Sequence, residues 1–215
     1  MKRLRTGCDT LDRLLNGGIE YGAVTQFYGE PGTGKTGICL QLACNCVRGG
    51  HKVAYIDTET ISMERLEQIG GSDLDYSEIL ISRPYSLEEQ EKLVKNAVNI
   101  HGIGLIVVDT INMYQRLKYH EAPEECQAPI LRMLENLSMN AQKHEYPVII
   151  TSQVYQSKDD GEIRAFGGRD TAYVAKTIVR LDRLEPGRRR ATVIKHRSIH
   201  ESSSAEFRIT AKGIE

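Results

Sequence analysis

Gly29-Glu30-Pro31-Gly32-Thr33-Gly34-Lys35-Thr36 stands between two stretches of different period. Ala23–Tyr28 before it alternates as a strand does, and Gly37–Val47 after it keeps helical spacing. A turn of this pattern, GxxxxGK[ST], lets the backbone curl until several N–H groups point into one anion-sized hollow. The helix that follows adds the positive end of its dipole. Lys35 can reach the β- and γ-phosphates of a nucleotide, and the Thr36 hydroxyl is placed to ligate Mg²⁺. About one unrelated chain of this length in a hundred would carry the pattern by accident. Gly29 to Thr36 is therefore read as a P-loop for ATP, between a strand and a helix.

Further strands and helices alternate on either side. Lys52–Ile56, Ile79–Ser82, Leu105–Asp109 and Val148–Thr151 read as strands, the last two as unbroken apolar runs. Asp9 or Thr10 is expected to cap a short helix carrying Leu11, Leu14 and Leu15, and Ser62 one through Gln68. Ser86 with Glu89 forms a capping box, and the helix it opens carries the i,i+4 pairs Glu88–Lys92 and Glu91–Lys95. Ala128–Lys143 is expected to be helical with Ile130, Met133, Leu134, Leu137 and Met139 inside. Three strands then follow without helices, with a Pro186-Gly187 turn between the first two. The expected fold is α/β, a mostly parallel central sheet flanked by helices with antiparallel C-terminal strands. No Pro-, Ser- or Gly-rich linker divides the 215 residues, so 1–215 is read as one domain.

Composition narrows the rest. Hydrophobic residues at 40% and charged residues at 27% describe a globular chain. No apolar run approaches the roughly 20 residues of a membrane-spanning helix, and no secretory signal follows MKRLRTGCDT. Five cysteines without a CxxC pair read as reduced thiols, hence a cytoplasmic setting. Net charge is −1, yet Lys176–His200 holds eight Lys/Arg against two acids. Such a zone permits a polyanionic partner, and solvated hairpin charges account for it equally well.

Three side chains join the P-loop as candidates. Asp109 ends an apolar strand, where a carboxylate can hold the water shell of Mg²⁺ beside Thr36. Glu59 closes Tyr55-Ile56-Asp57-Thr58-Glu59 and is the candidate to deprotonate an attacking water, with Asp57 its rival. Gln153 follows the strand Val148–Thr151, where an amide can bond a γ-phosphate or simply hold the loop.

Thr6-Gly7 with Leu11-Asp12, GEPGTGKT, YIDTE, LIVVDT, ILRML, VIITSQV, Gly167-Gly168 and Phe207-Arg208-Ile209-Thr210 occur in this order. Taken together these motifs resemble the RecA/RadA recombinase family, over nearly the whole chain. They are most similar to its short archaeal paralogs, which have the ATPase core without the N-terminal helical DNA-binding domain. The resemblance implies a RecA-like P-loop NTPase core with weak ATPase turnover. It implies Glu59 in the catalytic place, with Lys35 and Gln153 beside it, and an accessory role in DNA repair and recombination. DNA, single-stranded by preference, and a RadA-like recombinase are the implied partners. Two DNA-facing loops are implied, near Gln115–Gln127 with Arg116, Lys118 and Tyr119, and near Tyr155–Arg169 with Lys158, Arg164, Phe166 and Arg169.

This sequence departs from RadA in three places. The first loop is shorter. The segment RadA uses to hook onto a neighbour has no counterpart, so at most weak self-association is expected. An Asp-Ser-Pro near the adjoining subunit's nucleotide becomes His196-Arg197-Ser198. Lys195 and Arg197 then become candidates to reach a neighbour's γ-phosphate in trans. Two alternatives stay open: a KaiC-like regulatory ATPase or autokinase, with Ser202-Ser203-Ser204 as a candidate acceptor, and a nucleotide-gated interaction module.

Overall fold

The computed structural model describes residues 2–118, 123–156, 161, 163–165 and 168–215, the side chains at 116, 118, 123–126, 156, 163 and 168–170 excepted. Its strands are β1 (Arg3–Leu4), β2 (Ile19–Glu20), β3 (Val24–Gly29), β4 (Lys52–Asp57), β5 (Ile79–Ser82), β6 (Ile103–Asp109), β7 (Val148–Ser152), β8 (Val154–Gln156), β9 (Ile163–Ala165), β10 (Thr177–Arg183), β11 (Arg188–Lys195), β12 (Ser204–Thr210) and β13 (Gly213–Ile214). The helices are α1 (Asp9–Leu14), α2 (Lys35–Arg48), α3 (Met63–Gly70), α4 (Leu87–Ala97), α5 (Met113–Lys118), α6 (Pro123–His144) and α7 (Gly168–Val174).

Nine strands form the main sheet in the order β13-β12-β11-β10-β3-β7-β6-β4-β5. From β10 to β5 every pair is parallel, and β11, β12 and β13 are antiparallel. The division follows from the connections. Helical crossovers return the chain parallel, whereas the Pro186-Gly187 turn, with Gly187 at φ 78°, reverses it within a few residues. The apolar runs are continuous because both faces are covered. In β6, Leu105 and Val107 pack into one core with α2 and α3, while Ile106 and Val108 pack into the other with α4 and α6.

Several local expectations need correction. The N-cap of α1 is Cys8, not Asp9 or Thr10, and no side chain caps it. The buried Asp12 instead reaches back to accept from the N–H and hydroxyl of Thr6, both at 2.7 Å, and from Arg5. Ser62 caps α3 and Ser86 caps α4 as expected. Glu89, however, accepts from the N–H of Tyr85 at 2.8 Å, one residue before the cap. Glu91 pairs with Arg132 of α6 at 2.6 Å rather than with Lys95. In α6, Ile130, Met133, Leu134 and Leu137 are buried, but Met139 is exposed. Two residues beyond Leu137, Met139 falls on the opposite side of the helix.

Where DNA-facing loops were expected, the described residues are partly regular. Met113–Lys118 is helical, α6 starts at Pro123 rather than Ala128, and β8 pairs antiparallel with β9. Tyr119, Lys158 and Phe166 lie outside the described residues. The C-terminal β12–β13 hairpin is clipped to the helices. Arg65 of α3 donates to the carbonyls of Thr210 and Ala211 at 2.7 Å, and Gln41 of α2 exchanges hydrogen bonds with Ile214. Cys8, Cys39, Cys44 and Cys46 are buried free thiols.

Candidate nucleotide site

β3 delivers Gly29 in register with Leu181 of β10. A Cβ on Gly29 would stand 2.3 Å from the Leu181 carbonyl oxygen, so only glycine lets the turn begin there. Gly32 and Gly34 take φ of 76° and 101°, the left-handed region that curls the loop back over its own strand. The Thr33 hydroxyl closes the turn by donating to the Glu30 carbonyl at 2.8 Å. Lys35 opens α2 and donates to the carbonyls of Gly29 at 2.8 Å and Glu30 at 3.0 Å. Burial lowers its pKa, and the carboxylates of Glu59 and Asp109 act against that shift.

Asp109 is fully buried at the end of β6. The Thr151 hydroxyl donates to one of its oxygens at 2.5 Å and the Tyr55 hydroxyl to the other at 2.8 Å. The Thr36 side chain stands close enough to favour its ionised form. Desolvation raises its pKa above the ordinary carboxylate value, and the three hydroxyls hold it down in part. A buried carboxylate beside a hydroxyl is a donor set of the kind Mg²⁺ takes, so the residues present fit that ion. Asp57 and Asp109 end β4 and β6 side by side, with Cα atoms in register.

The two carboxylates of YIDTE separate clearly. Asp57 is buried, accepts from the N–H groups of Glu59 and Ile61, and pairs with Arg83 at 3.0 Å. It serves the loop. Glu59 is only half-buried and accepts from the side-chain amide of Gln153. Lys35, Thr36, Asp109, Glu59 and Gln153 thus come together at the carboxyl ends of β3, β6, β4 and β7, the side of a parallel sheet where ligands bind.

Other candidates lie elsewhere. Lys195 donates to the carbonyls of Ala172 and Ala175 at the end of α7, and Arg197 pairs with Glu20 of β2 at 3.1 Å. Arg164 is exposed in β9, in register with Tyr155 of β8. The backbones of Arg116, Lys118 and Arg169 are helical, and their side chains lie outside the described set. Tyr55, Thr151 and Arg83, which hold the two aspartates, went unnoticed in the sequence. Only the hydroxyl-bearing residues at strand ends offered a signal, and none pointed to Arg83.

The Rad51 family model matches residues 1–215. The chain belongs to the Rad51 family. Among curated members, the DNA repair and recombination protein RadB of Thermoplasma acidophilum is 41% identical over 218 residues, covering 100% of this chain and 94% of the relative. That of Methanococcoides burtonii is 39% identical, covering 99% and 97%. A crystal structure of the RadB recombinase superposes with a TM-score of 0.86 at 35% identity, covering 99% of this chain and 98% of that one. The expected family and the expected sheet, with antiparallel strands after the parallel ones, are thereby found. No described helix is long and apolar enough to cross a membrane.

Proposed function

We propose that this chain is an ATP-dependent DNA repair and recombination protein: one core domain over 1–215 that binds Mg-ATP, hydrolyses it slowly and assists a RadA-like recombinase on DNA. The observation that carries the reading is the convergence of Lys35, Thr36, Asp109, Glu59 and Gln153 around the Gly29–Thr36 loop. Membership of the Rad51 family and relatives named for DNA repair and recombination support the role.

Each residue has a task in that reading. The N–H groups of the loop and the α2 N-terminus hold the phosphate chain. Lys35 exchanges two backbone carbonyls for phosphate oxygens, which are stronger acceptors. Thr36 and Asp109 would hold Mg²⁺, which would neutralise charge on the phosphate chain. Glu59 takes the proton of the attacking water, and the Gln153 amide must first release it. That restraint, together with Lys195 and Arg197 bound inside their own chain, favours slow turnover. Arg164 with Tyr155 suits a DNA-tracking strip, to which Arg116, Lys118 and Arg169 would add.

Equilibrium dialysis and steady-state hydrolysis test the proposal. Lys35→Ala is expected to weaken Mg-ATP uptake at least about tenfold. Glu59→Gln is expected to keep uptake and lose about 10²-fold or more in hydrolysis. Unchanged uptake in Lys35→Ala, or unchanged hydrolysis in Glu59→Gln, would refute the assignment.

A further inference from the structure

The basic stretch Lys176–His200 looks different once its partners are known. Arg180 pairs with Asp182, Arg188 with Glu185 and Glu206, Arg190 with Glu206 and Arg197 with Glu20. Lys195 is bound by two carbonyls. Among the described residues Lys176, Arg183 and Arg189 have no acidic or carbonyl partner for their side-chain charge except the Gly32 and Arg188 carbonyls bound by Arg189, and the two arginines stand directly opposite each other in the β10–β11 register. The face they share also carries Leu181 and Phe207 and looks onto the P-loop. Arg189 donates from Nε to the Gly32 carbonyl at 2.9 Å. The Arg183 guanidinium lies 3.8 Å from the point where a Cβ on Gly32 would stand.

Two guanidiniums brought together without a carboxylate repel each other. Burial and the charge of Arg183 both lower the pKa of Arg189. Elsewhere on the same hairpin the neighbouring arginines are neutralised by Glu185 and Glu206. An anion placed beside the Gly32 turn would relieve the repulsion and accept a charge-assisted hydrogen bond from Arg183.

The geometry points to Arg183, on the outer flank of the Gly29–Thr36 loop with Arg189 behind it, as a residue that binds the terminal phosphates of a nucleoside triphosphate. Arg183 supplies the direct contact. Arg189 is a positioning residue that fixes the Gly32 peptide while adding charge behind it. The inference rests on the reading that this loop holds a nucleotide.

Binding of Mg-ATP and of AMP to the full chain tests it, with Arg183→Gln, Arg183→Lys, Arg189→Gln and Arg208→Gln compared. Arg208 is exposed on the other face of the sheet, in register with Arg188, so its loss removes the same charge away from the loop. Arg183→Gln and Arg189→Gln are expected to weaken ATP about tenfold each while leaving AMP unchanged. Arg183→Lys should recover most of the loss, and Arg208→Gln should bind ATP as the parent does. Arg183 is exposed and its side chain makes no hydrogen bond among the described residues, so it carries the test if Arg189→Gln fails to fold. Equal losses for ATP and AMP, a loss no greater than that of Arg208→Gln, or a loss confined to single-stranded DNA affinity would each overturn the inference. Lys35→Ala in the same assay separates the two failures. If it still takes up ATP, the nucleotide reading itself falls; if it does not and the arginine variants bind normally, only this inference falls.

Discussion

Asp109 is a carboxylate with no exposure, held by the hydroxyls of Tyr55 and Thr151, with Thr36 and the Lys35 ammonium nearby. Its folded pKa lies above the ordinary value because desolvation outweighs those donors. The folded chain therefore keeps a proton at a pH where the unfolded chain has lost it. As pH rises through the folded value, the native state must bury a charge, and stability falls. Asp109→Asn removes that cost. The variant is expected to melt above the parent at pH 8, with the gap closing as pH falls below the folded pKa, and to lose Mg²⁺-dependent ATP uptake. Thermal melts across pH check this, and a variant less stable than the parent at pH 8 contradicts it. The same residue shows what a sequence reveals of a site. Asp109 was visible because it ends an apolar run. Tyr55 and Thr151 were not, since they lie on other strands and reach it only through the β4-β6-β7 order. Likewise Glu59 and Asp57 were rivals in the sequence, and only the Arg83 pair and the two N–H groups on Asp57 told them apart.

At the scale of elements, the parallel strands and the helices between them were legible because burial on both faces writes unbroken apolar runs. Pairings between elements were not. Glu91 turned from its own helix to Arg132, and the C-terminal hairpin was clipped by Arg65 and Gln41 from distant helices. The short pairs β1–β2 and β8–β9 carry no period at two or three residues each, which is why they were missed. The Arg65 clip leads to a measurable cost. One guanidinium satisfies the carbonyls of Thr210 and Ala211, so Arg65→Ala leaves two acceptors for water and loosens β12–β13 from α3. Urea unfolding should show a loss of about 1–2 kcal/mol with an unchanged m-value. Since Phe207 and Ile209 of β12 border Gly34 of the P-loop, ATP affinity should fall in the same variant. A variant of parental stability would show that the clip is incidental.

At the scale of the whole molecule, charge decides how strongly a polyanion is held outside the nucleotide site. Net charge is −1, and half of the eight cations of the basic stretch, Arg180, Arg188, Arg190 and Arg197, pair with acids within the chain, while Arg183 and Arg189 turn to the P-loop. Binding of single-stranded DNA would then fall to the candidates Arg116, Lys118, Arg164 and Arg169. Each phosphate contact contributes a slope of about −0.7 to log K against log salt on a single strand. Four contacts therefore set a ceiling near −3, shallow beside that of a protein with a basic groove. A fluorescence-anisotropy titration between low and moderate salt should give a slope no steeper than that, and Arg164→Ala should flatten it by about 0.7. A markedly steeper slope would mean that the hairpin arginines leave Glu185 and Glu206 for DNA. Their internal pairing would then be a resting arrangement that the nucleic acid displaces.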